Sequence, residues 1–172
     1  MEYNDPINVK RTVAENKLVQ ARRKSLEEFG NIEHRLELVD VINGVDYIND
    51  SKATDVNSTW YSLYYMNQPV VWIIGNSELE TDYSLFSEIA MDKVKAIVCL
   101  GGRNVLINNA LQGKVDTITD AHDLDEAVRL ANSHTEEGDV VLFSPACSSF
   151  DLFQNYKDRG QQFRKSVSDL RK

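Results

Sequence analysis

"PVVWIIG", residues 69–75, decides the fold. A strand with one wet face would alternate polar and apolar residues. This run is apolar throughout until Gly75, so both of its faces must be covered by other elements. "VKAIVCLGG" (94–102) and "DVVLFSP" (139–145) repeat the pattern, each ending in glycine or proline. Between them lie segments with helical spacing: "YSLFSEIAMDK" (83–93), "NVLINNAL" (104–111) and "LDEAVRLANSHT" (124–135). "VDTITD" (115–120) reads as a more polar strand. Buried strands taking turns with helices specify a mostly parallel sheet with helices on both faces, the α/β class. Upstream, "RLELVDVINGVDYIND" (35–50) alternates around Asn43-Gly44, two residues that tolerate positive φ. That predicts a β-hairpin, adding antiparallel pairing at one edge of the sheet. A last helix is expected from about Ser149 to Leu170. Ile73, Val98 and Leu142 are expected deep in the core.

The chain has 172 residues, enough for one compact domain with a small appendage. Its hydrophobic fraction of 42% is enough for a real core. The net charge of −8 argues against general binding of nucleic acid or anionic membrane, since phosphate neutralisation needs a basic surface. Cys99 and Cys147 lack CxxC spacing, so neither a disulfide framework nor a zinc site is expected, and a reducing cytoplasm fits. No apolar stretch approaches membrane-spanning length and no signal-peptide pattern opens the chain. These features point to a soluble, cytoplasmic, monomeric protein. Residues 1–30 stand apart. "TVAENKLVQARRKSLEEFG" (12–30) places Val13, Leu18, Ala21 and Leu26 at helical spacing, with Gly30 as a stop.

In open α/β sheets, ligands bind beyond the carboxyl ends of the strands. Those ends are Asn49-Asp50-Ser51-Lys52, Gly75-Asn76, Gly101-Gly102 and Ser144-Pro145-Ala146-Cys147. Lys52 can meet a phosphate or carboxylate as a mobile charge. Asp50 can accept from a hydroxyl. Thr54 or Asp55 can cap the helix that follows, leaving free N–H groups toward an anion. These roles compete with a plain solvated loop pair and a plain cap. In "SPACSSFDLFQNYKDRG" (144–160), Ser148 or Ser149 can cap the last helix, with Asp151 as a capping-box partner. Phe150, Phe153 and Tyr156 fit a core at least as well as a ligand site. Cys147 fits a small buried thiol better than a nucleophile, because no histidine is near in sequence. His34-Arg35 fits a surface turn or a cover for a nucleotide. Neither a phosphate-binding G-x-x-x-x-G-K-[ST] loop nor a G-x-G-x-x-G fingerprint is present.

"IEHRLELV…GVDYINDSKATDVNSTWYSL" and "GDVVLFSPACSSFDLFQNYKDRGQQF" together resemble the C-terminal domain of the Mur ligases, in the branch that adds D-glutamate to the peptidoglycan precursor. The likeness spans roughly residues 31–170. It implies a Rossmann-like domain following an upstream UDP-binding domain and a central ATPase domain. Residues 1–30 would then be a linker helix or a remnant of the central domain, and 31–172 the amino-acid-binding domain. In the complete enzyme ATP, with Mg2+, phosphorylates the substrate carboxylate, and the D-glutamate amine attacks the acyl phosphate. Carried over by motif, His34, Arg35, Asp50 and Lys52 would serve the nucleotide. Thr54, Ser149, Phe150 and Tyr156 would face D-glutamate.

The resemblance has departures. The upstream domains lie outside this sequence, so the chain alone is expected to carry no catalytic residue, to hold no metal or nucleotide tightly and to make no amide. After "VVWIIG" the family pattern is Gly-Gly-x-Asp-Lys-Gly. This chain has Gly75-Asn76-Ser77-Glu78-Leu79-Glu80. Leu79 occupies the place of a lysine expected to hold the side-chain carboxylate of D-glutamate. A different amino-acid substrate, or a divergent relative acting as a non-catalytic binding module, are the alternatives this loop raises.

Overall fold

The computed structural model describes residues 32–75, 81–102, 104–148 and 152–172. The helix expected within 1–30, and its reading as linker or remnant, lie outside these residues. Glu33–Lys172 forms one compact unit.

The hairpin forms where the sequence places it. Strand β1 (Glu37–Ile42) turns into β2 (Val45–Asn49) through Asn43 and Gly44, at φ 51° and 75°. Positive φ at both turn residues matches the twist of the flanking strands. The chain then alternates: helix α1 (Val56–Tyr65), β3 (Val70–Gly75), α2 (Ser87–Lys93), β4 (Val94–Leu100), α3 (Val105–Leu111), β5 (Thr117–Ala121), α4 (Leu124–Ser133), β6 (Val140–Phe143) and α5 (Tyr156–Asp169). Among the described residues six strands make one sheet in the order β1-β2-β6-β3-β4-β5, in which β1–β2 is the antiparallel pair and the other pairs are parallel.

Alternate side chains of the buried strands enter two separate cores. Trp72, Ile74, Ile97, Cys99 and Leu142 pack under α1, α2 and α3 with Leu63, Ile89 and Ile107. Val71, Ile73, Val98, Val141 and Phe143 pack under α4 and α5 with Val128 and Phe163. Ile73, Val98 and Leu142 have no exposed surface, as their sequence context requires. The Phe143 and Phe163 rings stack 4.9 Å apart, joining β6 to α5. An aromatic pair of this kind adds about 0.5–1.5 kcal/mol beyond simple burial.

Of the two residues the sequence offers as the α1 cap, Asp55 takes the role, its carboxylate accepting from Ser58 N at 2.9 Å. One helix start differs from the sequence expectation. The last helix begins at Tyr156 rather than near Ser149. Asn155 accepts from Lys157 N and Asp158 N at 2.9 and 3.0 Å, and Asp158 reaches back to accept from Gln154 N at 3.1 Å. These reciprocal bonds satisfy the first orphan amides of the helix, so the described residues 152–155 remain a turn. The predicted helix 83–93 is a 3-10 turn (Tyr83–Phe86), capped by Asp82, running into α2.

The topology also fixes where a ligand can enter. The chain leaves β2 toward α1 on one face and leaves its parallel neighbour β6 toward α5 on the other. Such a reversal opens a crevice at the carboxyl ends of the two strands.

Candidate functional site

The floor of this crevice is a buried polar relay. Asp50, one residue past β2, is 2% exposed. Its Oδ2 accepts from the Ser144 hydroxyl at 2.7 Å, and its Oδ1 accepts from Leu36 N at 3.3 Å. Ser144 Oγ also lies 3.0 Å from Thr59 Oγ1 on α1. The carbonyl of Ser144 accepts from Trp72 Nε1 at 2.8 Å. Three elements, β2, β6 and α1, thus meet at a single serine hydroxyl. In a low-dielectric interior each of these groups costs free energy unless paired, so the relay holds its geometry strongly.

The β6 loop is compact for a steric reason. Ala146 takes φ 58°. Cys147 then turns inward until a Cβ built on Gly75 would lie 2.3 Å from its Sγ. Gly75 N donates to Pro145 O at 2.9 Å. Only glycine at the end of β3 permits this approach. Cys147 is buried, in line with its reading as a packing residue. Burial pushes the other thiol, Cys99, up to about 12, which keeps it protonated and inert.

Arg159, in the first turn of α5, reaches both loops. It is 2% exposed. Its Nε donates to Ser51 Oγ at 3.0 Å and its Nη2 to Ser51 O at 2.8 Å. Its Nη1 donates to Cys147 O at 3.1 Å and to Ser148 O at 3.2 Å. Ser51 Oγ in turn donates to Tyr156 O at 2.7 Å.

His34 closes the crevice from the entry side. Its ring is fully buried. Asn49 Nδ2 lies 2.8 Å from His34 Nδ1, which makes Nδ1 the acceptor and leaves the proton on Nε2. The ring lies flat against α5: a Cβ built on Gly160 would come within 2.2 Å of Nδ1. Burial holds the His34 pKa below its ordinary value. Arg164 and Lys157 push the same way, and Glu33 and Glu37 oppose them. Arg164 ties the segment down through Glu33 at 3.0 Å and Glu37 at 2.5 Å. His34 O accepts from Lys52 N at 3.0 Å, fastening the entry segment to the β2 loop.

The structure brings four of the predicted site residues together. Lys52 Nζ lies 5.7 Å from the Tyr156 ring centroid, and Tyr156 meets His34 edge-on at 6.5 Å. Asp50 lies beneath, bonded to the same entry segment. Arg35 is half-buried at its outer side, and Thr54 is exposed on the α1 approach. Ser149, Phe150 and Leu79 lie outside the described residues. Asn49 and Ser144, expected at strand ends, carry the geometry together with Thr59 and Arg159, which the sequence reading passed over. A signal existed for Arg159: a glycine inside a helical pattern, here Gly160, marks a close approach. Among the described residues no three histidine, cysteine or acidic side chains converge in a way that could hold a metal ion.

Residues 34–147 match the family described as Mur ligase, glutamate ligase domain. The chain is 48% identical over 151 residues to the UDP-N-acetylmuramoylalanine–D-glutamate ligase of Porphyromonas gingivalis, covering 88% of this chain and 34% of that protein. The enzyme of the same name from Bacteroides fragilis is 41% identical over 149 residues, covering 86% and 34%. The chain therefore spans about a third of the length of the curated relatives it matches. Among solved structures, the MurF ligase of Thermotoga maritima in complex with ADP shares the fold, with TM-score 0.52 and 12% identity over 81% of this chain and 32% of that one. A domain from a Haemophilus ducreyi ligase gives TM-score 0.50 at 11% identity, covering 77% of this chain and 99% of that one.

Proposed function

We propose a function from one premise: the chain belongs to the Mur ligase family, as its C-terminal, glutamate ligase domain. In this reading it serves a cytoplasmic enzyme that adds D-glutamate to UDP-N-acetylmuramoyl-L-alanine during peptidoglycan precursor synthesis, with ATP as co-substrate. UDP-binding and ATPase domains are its partners in the same polypeptide. The observation that carries the reading is the joining of the "NDSKAT" and "SPACSS" loops at one crevice, through Asp50–Ser144 and Arg159.

The residues divide by exposure. Lys52 is partly exposed and presents a positive charge to the phosphates of ATP, with Arg35 as a second cation in this reading. His34 and Asp50 are buried, and they act on the nucleotide by fixing the turn that carries Lys52. Thr54, Ser149, Phe150 and Tyr156 face the amino acid. The γ-phosphoryl group passes to the carboxylate of the precursor, releasing ADP. The D-glutamate amine then attacks the activated carbonyl carbon, the C–N bond forms, inorganic phosphate leaves and the amine gives up a proton. The domain's share of this catalysis is orientation of the amine and charge opposite the phosphates. In this reading Mg2+ accompanies ATP in the complete enzyme.

Leu79 favours a second reading, in which the acceptor is a related amino acid without a side-chain carboxylate. One experiment separates the two. The first two-thirds of the Porphyromonas gingivalis ligase is joined to this chain, and phosphate release is measured with UDP-N-acetylmuramoyl-L-alanine, ATP and a panel of D-amino acids. Saturable release with D-glutamate supports the first reading. Release with another amino acid alone supports the second. A folded chimera that turns over none of them sinks both.

A further inference from the structure

We propose that Arg159 is a positioning residue that locks the β2 and β6 loops to each other, so that the nucleotide side and the amino-acid side of the crevice keep one spacing. The lock itself rests on this structure. The identity of the two ligands rests on the function proposed above.

Arg159 has no place in the chemistry, because its side chain is buried and four of its five N–H donors are taken by protein oxygens. Those oxygens are distributed in a telling way. Two belong to Ser51, the residue before Lys52, and two belong to Cys147 and Ser148, the residues before Ser149. Three of the four are backbone carbonyls, so the contacts fix the course of the chain rather than the rotamer of a neighbour. The guanidinium is a rigid planar fork whose donors point in several directions at once. It can therefore hold two loops at a set distance. A lysine ammonium concentrates its donors on one atom at the end of a flexible stem and cannot serve both sets of carbonyls. Ser51 Oγ also donates to Tyr156 O, so α5 and the β2 loop share a closed cycle of bonds to which Arg159 ties the β6 loop. Gly160, the next residue, lets α5 sit close enough to His34 for the arginine to reach.

A purely structural arginine would affect how much protein folds. A spacer between two ligand loops would affect how both ligands bind. The chimeric ligase described above distinguishes these in the Arg159→Lys variant. The KM for ATP and the KM for D-glutamate are expected to rise together, each about tenfold, the size that follows from losing one charge-assisted bond. A fall in kcat with both KM values unchanged, or a rise in one KM alone, overturns the lock. Amide hydrogen exchange of this chain gives a second measurement that needs no ligand. In Arg159→Lys, the Lys52 amide (bonded to His34 O) and the Gly75 amide (bonded to Pro145 O) should both exchange faster, while amides between β4 and β5 keep their rates. Unchanged exchange at either amide overturns the proposal. An inactive parent chimera would count against the functional reading and leave the exchange result to decide the lock.

Discussion

His34 shows how one residue can be legible as important and misjudged in kind. Beside Arg35, in a polar stretch, it suits a surface turn, yet its ring is fully buried against Gly160 and Asn49. A sequence reports no long-range partner, and the partner here is some 125 residues away. The burial has a consequence for pH. The folded-state pKa is depressed, so the unfolded chain binds the proton more readily. The contribution of His34 to stability is therefore full above the unfolded value of about 6.5 and is lost as pH falls toward the folded value. Urea unfolding from pH 7.5 to 5 should show this decline in the wild type. It should be absent in His34→Asn, a substitution chosen because asparagine tolerates the φ of 65° at this position. Equal pH slopes would show that the ring is not buried as described. Gly160→Ala tests the same contact. Alanine gains about 1 kcal/mol of helix propensity, but overpacking against a fixed ring costs about 1–3 kcal/mol. The new Cβ meets three ring atoms within 2.8 Å, so a net loss and a lower urea midpoint are expected.

Among the elements, strands were more legible than helix ends. β3, β4 and β6 are continuous apolar runs, and nothing else of that length can be covered on both faces. α5 was harder, because two cap signatures compete within ten residues. Ser148 with Asp151 imitates a capping box, while Asn155 accepts from the Asp158 amide and Asp158 accepts from the Gln154 amide just before the cap. The second start sets Arg159 in the first turn of α5, where it bonds to Ser51 and Cys147, and those contacts belong to this start. Propensity alone does not contain those tertiary contacts. Asn155→Ala should then cost about 1 kcal/mol, read as a lower thermal midpoint, whereas Ser148→Ala should leave stability nearly unchanged. The opposite ranking would put the helix start back at Ser148. The site divides along the same line. Asp50 and Lys52 could be named because they stand at a strand end, and Tyr156 because the family resemblance carries it. Ser144 could be placed at a strand end but not as the partner of Asp50, and Thr59 could not be named at all, since each looks like an ordinary small polar residue until β6 is placed beside β2.

At the scale of the whole molecule, the sheet presents one edge of loops and supplies no phosphate loop of its own. Incubated with ATP, Mg2+, UDP-N-acetylmuramoyl-L-alanine and D-glutamate, this chain alone should release no phosphate above background, because the positioning that drives phosphoryl transfer is incomplete. Stoichiometric, protein-dependent release would refute this. The strand order carries one more consequence, for the way the molecule is made. β6 is the last strand to be synthesised, yet it lies between β2 and β3, and Tyr47 pairs with Val141 only after about ninety intervening residues have been added. Until it emerges from the ribosome, β2 and β3 have no common neighbour and their inward edges stay unpaired. The nascent chain must therefore carry exposed strand edges from the making of β2 until β6 is added, the condition under which chains associate wrongly. A nascent chain stalled before Val140 should be a ready client for chaperones that bind extended apolar segments, and one stalled well after Lys172 should not.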